Sequence, residues 1–138
     1  MNKNNFGYKS IKELHKLYLS KEVSPVEVIN ETLENIENLN NKLNAFVTIT
    51  NEYAIKKAKE LENKILKGER LNLLSGIPIP IKDVEPMMGF RCTFGSLPRD
   101  GIAKEDSMVV RRVKEFDGII IGKTNTPEYG QAATADNR

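Results

Sequence analysis

The sequence is poor in the residues on which several classes of protein depend. Its 138 residues include one cysteine, one histidine and no tryptophan. A single cysteine, Cys92, excludes a disulfide within the chain, and with one histidine it cannot form a standard zinc site. Apolar runs long enough for a signal-peptide core or a membrane span are also missing. We therefore expect a cytoplasmic protein without disulfides, metal or a membrane anchor.

Neither sign of charge dominates the chain. Lys and Arg together number 21 and Asp and Glu 19, which gives a formal net charge of +2 at pH 7. Proteins that bind nucleic acid usually concentrate basic residues in a patch or stripe. This sequence has no such segment, so we predict that it binds neither nucleic acid nor an anionic membrane surface. With 39% apolar residues, the chain can build one core but not two full domains.

Residues 1–70 predict a layer of three amphipathic helices. The first begins at Ser10, which forms a capping box with the glutamate three residues later. The second begins at Ser24, has a proline at its first position and is predicted to run to about Leu39. A short extended segment precedes the third helix, which is expected to end before Gly68. These helices need a sheet to cover.

Residues 75–138 follow a different pattern. Three isoleucines alternate with Pro78, Pro80 and Lys82, which is the period of two that is typical of a strand. Lys82 should therefore point away from the isoleucine face, with the prolines. Because proline cannot donate to a ladder, we expect this strand to be paired on only one side or along part of its length.

A crossover helix and a second strand are predicted next. The helix begins at Asp106 or Ser107, and the β-branched run Ile119–Ile121 forms the strand after it. A crossover helix makes the two strands parallel, so Lys82-Asp83 and Lys123-Thr124-Asn125 should meet at the same edge of the sheet. Ligands of open α/β sheets bind at that edge. Thr124 and Asn125 either line a pocket there or serve as turn and cap residues.

Four segments of this half carry a family resemblance when they are taken together and in order. They are Gly76–Asp83, Gly89–Ser96, Asp106–Phe116 and Gly122–Gly130. They resemble, respectively, the lysine strand, the following turn-rich segment, the next helix and the strand end beyond it in the amidase signature family. This family includes aryl and fatty amide hydrolases and the amidase subunit of the glutamyl-tRNA amidotransferase. Within the last segment, Asn125–Gly130 is more similar to the general amidases than to the tRNA-linked subunit.

The resemblance implies an α/β fold. Specifically, it implies the α/β/α amidase signature fold, with residues 1–138 forming its N-terminal portion. Within that portion, residues 1–70 would be the helical layer, and residues 75–138 would hold the lysine strand and the first strands of an incomplete mixed sheet. The implied reaction is hydrolysis of a small-molecule carboxylic amide, with no metal or organic cofactor.

The resemblance also implies a catalytic role for Lys82. Family members use a Ser-Ser-Lys triad, in which one serine attacks the carbonyl, a middle serine relays protons and the lysine is the final base. A lysine acts as a base only when neutral, so its ordinary pKa of about 10.4 must be lowered by burial or by nearby positive charge. We expect the neighbouring prolines and isoleucines to provide apolar surroundings.

The two serines of the triad belong to a glycine- and serine-rich motif that this sequence does not contain. Without them Lys82 has no hydroxyl proton to remove, so we expect the chain to be inactive alone. The alternative hypothesis is a non-catalytic product of a truncated or split gene. Such a fragment would need a C-terminal amidase segment, or would self-associate through uncovered isoleucine faces and a free strand edge.

Three side chains near Lys82 in the sequence have competing explanations. Asp83 either orients the site or forms a turn. Cys92 is a substitute nucleophile or, as we favour, a small packed residue. Ser96 completes a turn more readily than it replaces a missing serine.

Overall fold

The structure is a computed structural model that describes residues 6–96, 98–99 and 101–132. Within these residues the chain forms four helices and three strands, with short 3-10 turns at Phe6–Tyr8 and Glu128–Gly130. In chain order they are α1 (Ile11–Ser20), α2 (Pro25–Leu43), β1 (Phe46–Ile49), α3 (Asn51–Leu66), β2 (Pro78–Lys82), α4 (Met108–Glu115) and β3 (Ile119–Thr124). None of the helices in the described residues is long and apolar enough to cross a membrane.

Helices α1, α2 and α4 begin at the caps that the sequence predicts. Ser10 and Ser24 each accept a hydrogen bond from the backbone three residues on, and the glutamate at that position bonds back to the cap. Ser107 caps α4 in the same way, without the glutamate. The predicted end of α2 was wrong by about one turn, because the helix continues to Leu43 and ends where Asn44 adopts the left-handed conformation. The last turn is exposed, so it has no apolar stripe to reveal it.

The sheet has the strand order β1-β3-β2, with β3 in the centre. Strand β3 is parallel to β2, as the crossover helix requires, and antiparallel to β1. The ladder between β2 and β3 shifts once: Ile79 pairs with Ile120, but Pro80 pairs with Gly122. A β-bulge of this kind adds one residue to β3 and strengthens the local twist. The described sheet is therefore mixed, as predicted.

Helices cover both faces of this sheet. One face packs against α4, and its buried residues are Ile81, Met87, Val110, Val113 and Ile120. The other packs against α2 and α3, with Ile29, Ile36, Ala54, Ala58, Ile119 and Ile121 buried. A third cluster lies beneath α1 and comprises Phe6, Leu14, Tyr18, Val28, Leu61 and Ile65. Neighbouring isoleucines of β3 point to opposite faces, so this strand contributes buried side chains to the packing on both sides of the sheet.

Strand β2 is paired on one side only within the described residues, in agreement with its prolines. The Ile77 carbonyl accepts a hydrogen bond from Ile119, and the Asp83 N–H donates to the Thr124 carbonyl. Backbone groups alternate along a parallel strand, so the odd-numbered residues of β2 face β3 and the even-numbered ones face outward. Two of the outward positions are prolines, which lack an N–H group. This edge offers few donors to another strand.

At the opposite edge of the sheet, a side chain bonds the outward backbone groups of Phe46. Asn40, in α2, donates from Nδ2 to the Phe46 carbonyl at 2.9 Å and accepts from the Phe46 N–H at Oδ1 at 2.8 Å. The amide of Asn40 thereby takes both outward groups of one residue of β1. Such protection reduces strand pairing between molecules.

Gly76, just before β2, is required by both conformation and space. It has a φ of +74°, and a Cβ there would lie 2.8 Å from Cε2 of Tyr18. We expect Gly76→Ala to lower the free energy of unfolding by ~1–2 kcal/mol from backbone strain and by a further ~1–3 kcal/mol from overpacking. Urea unfolding should be compared with Gly68→Ala, where φ is +78° and no atom lies within 4 Å of the added Cβ. Equal losses in the two variants would contradict the steric argument.

Candidate active site

The carboxyl ends of β2 and β3 lie side by side, with Lys82 paired to Thr124. The turn-rich segment after β2 folds back over this edge. Its Phe94 donates a backbone hydrogen bond to the carbonyl of Asp83 at 3.2 Å, and Tyr129 donates to the carbonyl of Phe94 at 2.7 Å. The two strand ends therefore meet at one edge of the sheet, as predicted, and together with two turns they form the candidate site.

Lys82 points away from the isoleucine face, as predicted. Its Nζ lies 4.0 Å from the point that a Cβ on Gly130 would occupy. The apolar surroundings expected around the amine are, however, not formed by the described residues, because Lys82 and Pro80 are both exposed. Helices α2 and α3 pack on β1 and β3 and leave this part of β2 open. Nothing in the described part of the chain forms an ion pair with Lys82.

The buried lysine of this edge is Lys123, on β3, whose burial the sequence pattern did not predict. Its side chain is 0% exposed, and its Nζ donates to Oδ1 of Asp83, which is 1% exposed, at 2.7 Å. Oδ2 of Asp83 accepts from the N–H of Thr93 at 3.0 Å and from the Thr93 hydroxyl at 2.6 Å. One carboxylate thus joins β2, β3 and the turn-rich segment.

This ion pair is sensitive to loss of either partner. Removing one member of a buried pair leaves an uncompensated charge and costs about 3–5 kcal/mol. Asp83 begins a turn, in agreement with the turn explanation, and its side chain also bonds to Lys123 and Thr93. The signal that could have found Lys123 is the register: a parallel strand places it beside Ile81, on the same face as Asp83.

The side chains of Cys92 and Ser96 both make hydrogen bonds that stabilise the fold. The Cys92 thiol is buried and donates to the Asp83 carbonyl at 3.4 Å, and burial raises its pKa. A thiol that is harder to deprotonate is a poor nucleophile. The Ser96 hydroxyl is also buried and donates to Oε1 of Glu128 at 2.6 Å. Both side chains therefore agree with the packing and turn interpretations.

Asn125 follows β3 and has both distant and local hydrogen-bond partners. Its N–H donates to the carbonyl of Ala45 at 2.8 Å, and its Oδ1 accepts from the N–H of Thr126 at 2.9 Å. These bonds agree with the turn and cap interpretation of Asn125. No group of three or more His, Cys, Asp or Glu side chains in the described ranges is arranged to hold a metal ion.

Comparison with known proteins decides the family. A family model described as Amidase matches residues 27–138. The chain belongs to the amidase family. A glutamyl-tRNA(Gln) amidotransferase subunit from Trichodesmium erythraeum is 39% identical over 129 residues, which are 93% of this chain and 27% of that protein. The corresponding protein of Clostridium botulinum is 38% identical over 126 residues, or 91% of this chain and 26% of the relative. This amidase chain thus spans about a quarter of their length.

Solved amidase structures share the fold of the chain. A bacterial aryl acylamidase of the amidase signature enzymes superposes with a TM-score of 0.85 at 34% identity, covering 94% of this chain and 28% of that one. Peptide amidase from Stenotrophomonas maltophilia gives a TM-score of 0.84 over 91% of this chain and 26% of its own, and at 24% identity this shows the fold alone. The helices and partial mixed sheet are part of the amidase signature fold, as the resemblance implied.

A substitution at Thr93 tests the hydrogen-bond network around Asp83 without changing any charge. Its hydroxyl donates to Asp83 and accepts from the N–H of Gly95 at 3.1 Å. Since hydrogen bonds to charged groups contribute about 1.5–3 kcal/mol, we expect Thr93→Val to lower the free energy of unfolding by that amount. Thr32→Val is the matched control, because the Thr32 hydroxyl bonds only within its own helix, to Val28. If both variants unfold at the same urea concentration, the network does not stabilise this edge.

Proposed function

We propose that this chain provides the lysine side of an amidase active site, with Lys82 as the general base. The observation that supports this most is the position of Lys82 at the carboxyl end of β2, exposed at the edge shared with β3. A neighbouring lysine is buried in an ion pair, whereas Lys82 can still receive a partner. The chain belongs to the amidase family, and its resemblance to amidase signature enzymes implies that this partner is a serine hydroxyl.

The proposed reaction is hydrolysis of a carboxylic amide. The neutral amine of Lys82 accepts, through a middle serine, the proton of the attacking serine as its oxygen bonds to the carbonyl carbon. The C–N bond then breaks, and the proton is passed to the departing nitrogen, which leaves as amine or ammonia. Water, deprotonated in the same way, hydrolyses the acyl-serine and releases the acid.

The exposure of Lys82 also indicates what the described residues do not supply. A segment that covers this end of β2 would exclude water from the amine and so favour its neutral form. The same segment would bring the serines and the oxyanion donors, which are worth a factor of about 100–1000 in rate. We therefore propose that the 138 residues are inactive by themselves and active when completed.

The second candidate function is that of a non-catalytic partner-binding fragment. Two proline positions on β2 and the Asn40 bonds on β1 leave few edge donors for pairing between copies. A partner segment would therefore contact the open face beside Lys82 more readily than it would extend the sheet. One solved structure is described as a vestigial protein complex that reveals the evolutionary origins of an s-triazine catabolic enzyme. A chain of it superposes on this one with a TM-score of 0.83 at 26% identity. This likeness supports a complex but not its partner.

The remaining assignments rest on composition and packing. We propose that residues 1–70 and 75–138 belong to one domain portion, because α2 and α3 bury their apolar faces against β3. We also propose a cytoplasmic location, from the single cysteine.

The names of the curated relatives favour an amidotransferase component, whereas the segment after β3 resembles general amidases, so simple amides are suitable first substrates.

The proposal is tested by completing the active site. The chain should be co-expressed with the part of the bacterial aryl acylamidase that it does not cover, and hydrolysis of an anilide and of a primary amide measured. We expect no activity from either piece and measurable activity from the pair. In the pair, Lys82→Ala should lower kcat by about 100- to 10,000-fold, as for loss of a general base.

The matched control is Lys12→Ala, which removes another exposed lysine, on α1 and away from the sheet edge. It should leave the rate unchanged. A completed pair that hydrolyses amides equally well with Lys82→Ala would rule out the proposed base. A stable complex without hydrolysis would instead favour the partner-binding fragment.

A further inference from the structure

Lys82 and Asp83 are neighbours in the chain, but their side chains are separated by the strand. Successive residues of a strand point to opposite faces. Lys82 lies with the prolines on the open face, and Asp83 lies with Ile81 on the buried face, beneath the turn-rich segment. The adjacent lysine and aspartate therefore do not form an ion pair with each other.

The Asp83 carboxylate is already satisfied. It accepts three hydrogen bonds, one from Lys123 at 2.7 Å and two from Thr93 at 3.0 and 2.6 Å. Both members of the ion pair are shielded from water, so little acceptor capacity is left for another cation.

The backbone of Asp83 is held as firmly as its side chain. Its N–H donates to the Thr124 carbonyl at 3.1 Å, and its carbonyl accepts from Phe94 at 3.2 Å and from the Cys92 thiol at 3.4 Å. On its other side, Lys82 is preceded by the buried Ile81. The Cα of Lys82 is thus fixed between two anchored residues while its side chain stays exposed.

We propose that Asp83 and Lys123 are positioning residues for Lys82, acting as a buried pair with no net charge. The pair fixes the strand end from which Lys82 projects and keeps the carboxylate of Asp83 away from the Lys82 amine. A carboxylate beside that amine would favour its charged form and oppose its use as a base. This role rests on the proposed function of Lys82, but the geometry on which it depends is a property of the chain alone.

The first test uses the completed enzyme and three variants: Asp83→Asn, Lys123→Met and the double variant. Each single variant leaves a buried charge unpaired and should lower the urea midpoint. The double variant leaves none, so its midpoint should recover in part. We expect its kcat to stay about 100-fold below that of the parent with KM nearly unchanged, since a misplacement near 1 Å can cost that much.

A purely structural pair would behave differently, because kcat would then recover together with the urea midpoint in the double variant. That result would overturn the positioning role. Thr93→Val keeps both charges and should give an intermediate loss of kcat. The control is the partly exposed pair Lys64–Asp117, at the opposite end of β3, with 3.1 Å between Nζ and Oδ1. Lys64→Met with Asp117→Asn should leave kcat unchanged.

The second test uses the chain alone, so that it does not depend on amidase activity. Amide signals of Lys82 are compared by 1H–15N NMR in the parent and the double variant, with Lys12 as the reference. We expect the Lys82 signal to shift or broaden while that of Lys12 does not. A folded double variant with an unchanged Lys82 signal would refute the positioning role, even if the completed parent enzyme were active. An inactive completed parent would count only against the proposed function.

Discussion

The buried contact between Lys123 and Asp83 connects the elements of the candidate site. It joins the ends of two parallel strands, and through Thr93 it also holds the segment that covers them. Charges shielded from water are tolerated only when paired and hydrogen-bonded, so this edge is either fully assembled or strongly destabilised. The position of Lys82, one residue from the pair, follows from that assembly.

The helices cover the sheet unevenly, and this asymmetry explains why Lys82 is exposed. Helix α4 shields the face that carries Ile81 and Ile120, and α2 with α3 shields the opposite face mainly over β3, leaving the end of β2 open. Where the cover stops, Pro80 and Lys82 are exposed. The chain spans about a quarter of the length of the amidase relatives.

Much of the local structure could be predicted because its causes are local. The capping boxes at Ser10 and Ser24 use atoms within one turn, and the direction of Lys82 follows from strand alternation. The motif order pointed to the amidase family, which the family match confirmed. The end of α2 was missed because its last turn is exposed and carries no pattern. Lys123 was missed because its partner lies 40 positions away, on another strand.

The amino-acid sequence by itself determined the starts of α1, α2 and α4, the one-sided pairing of β2 among the residues that the structure describes, the parallel strand unit and the family. Each of these features depends on residue type and on short-range patterns, which can be read directly from the order of the residues. Only the tertiary structure decided which lysine is buried and which is exposed. That choice depends on register between distant strands and on where the helical cover ends, because burial of a charged side chain is set by the partners and packing around it.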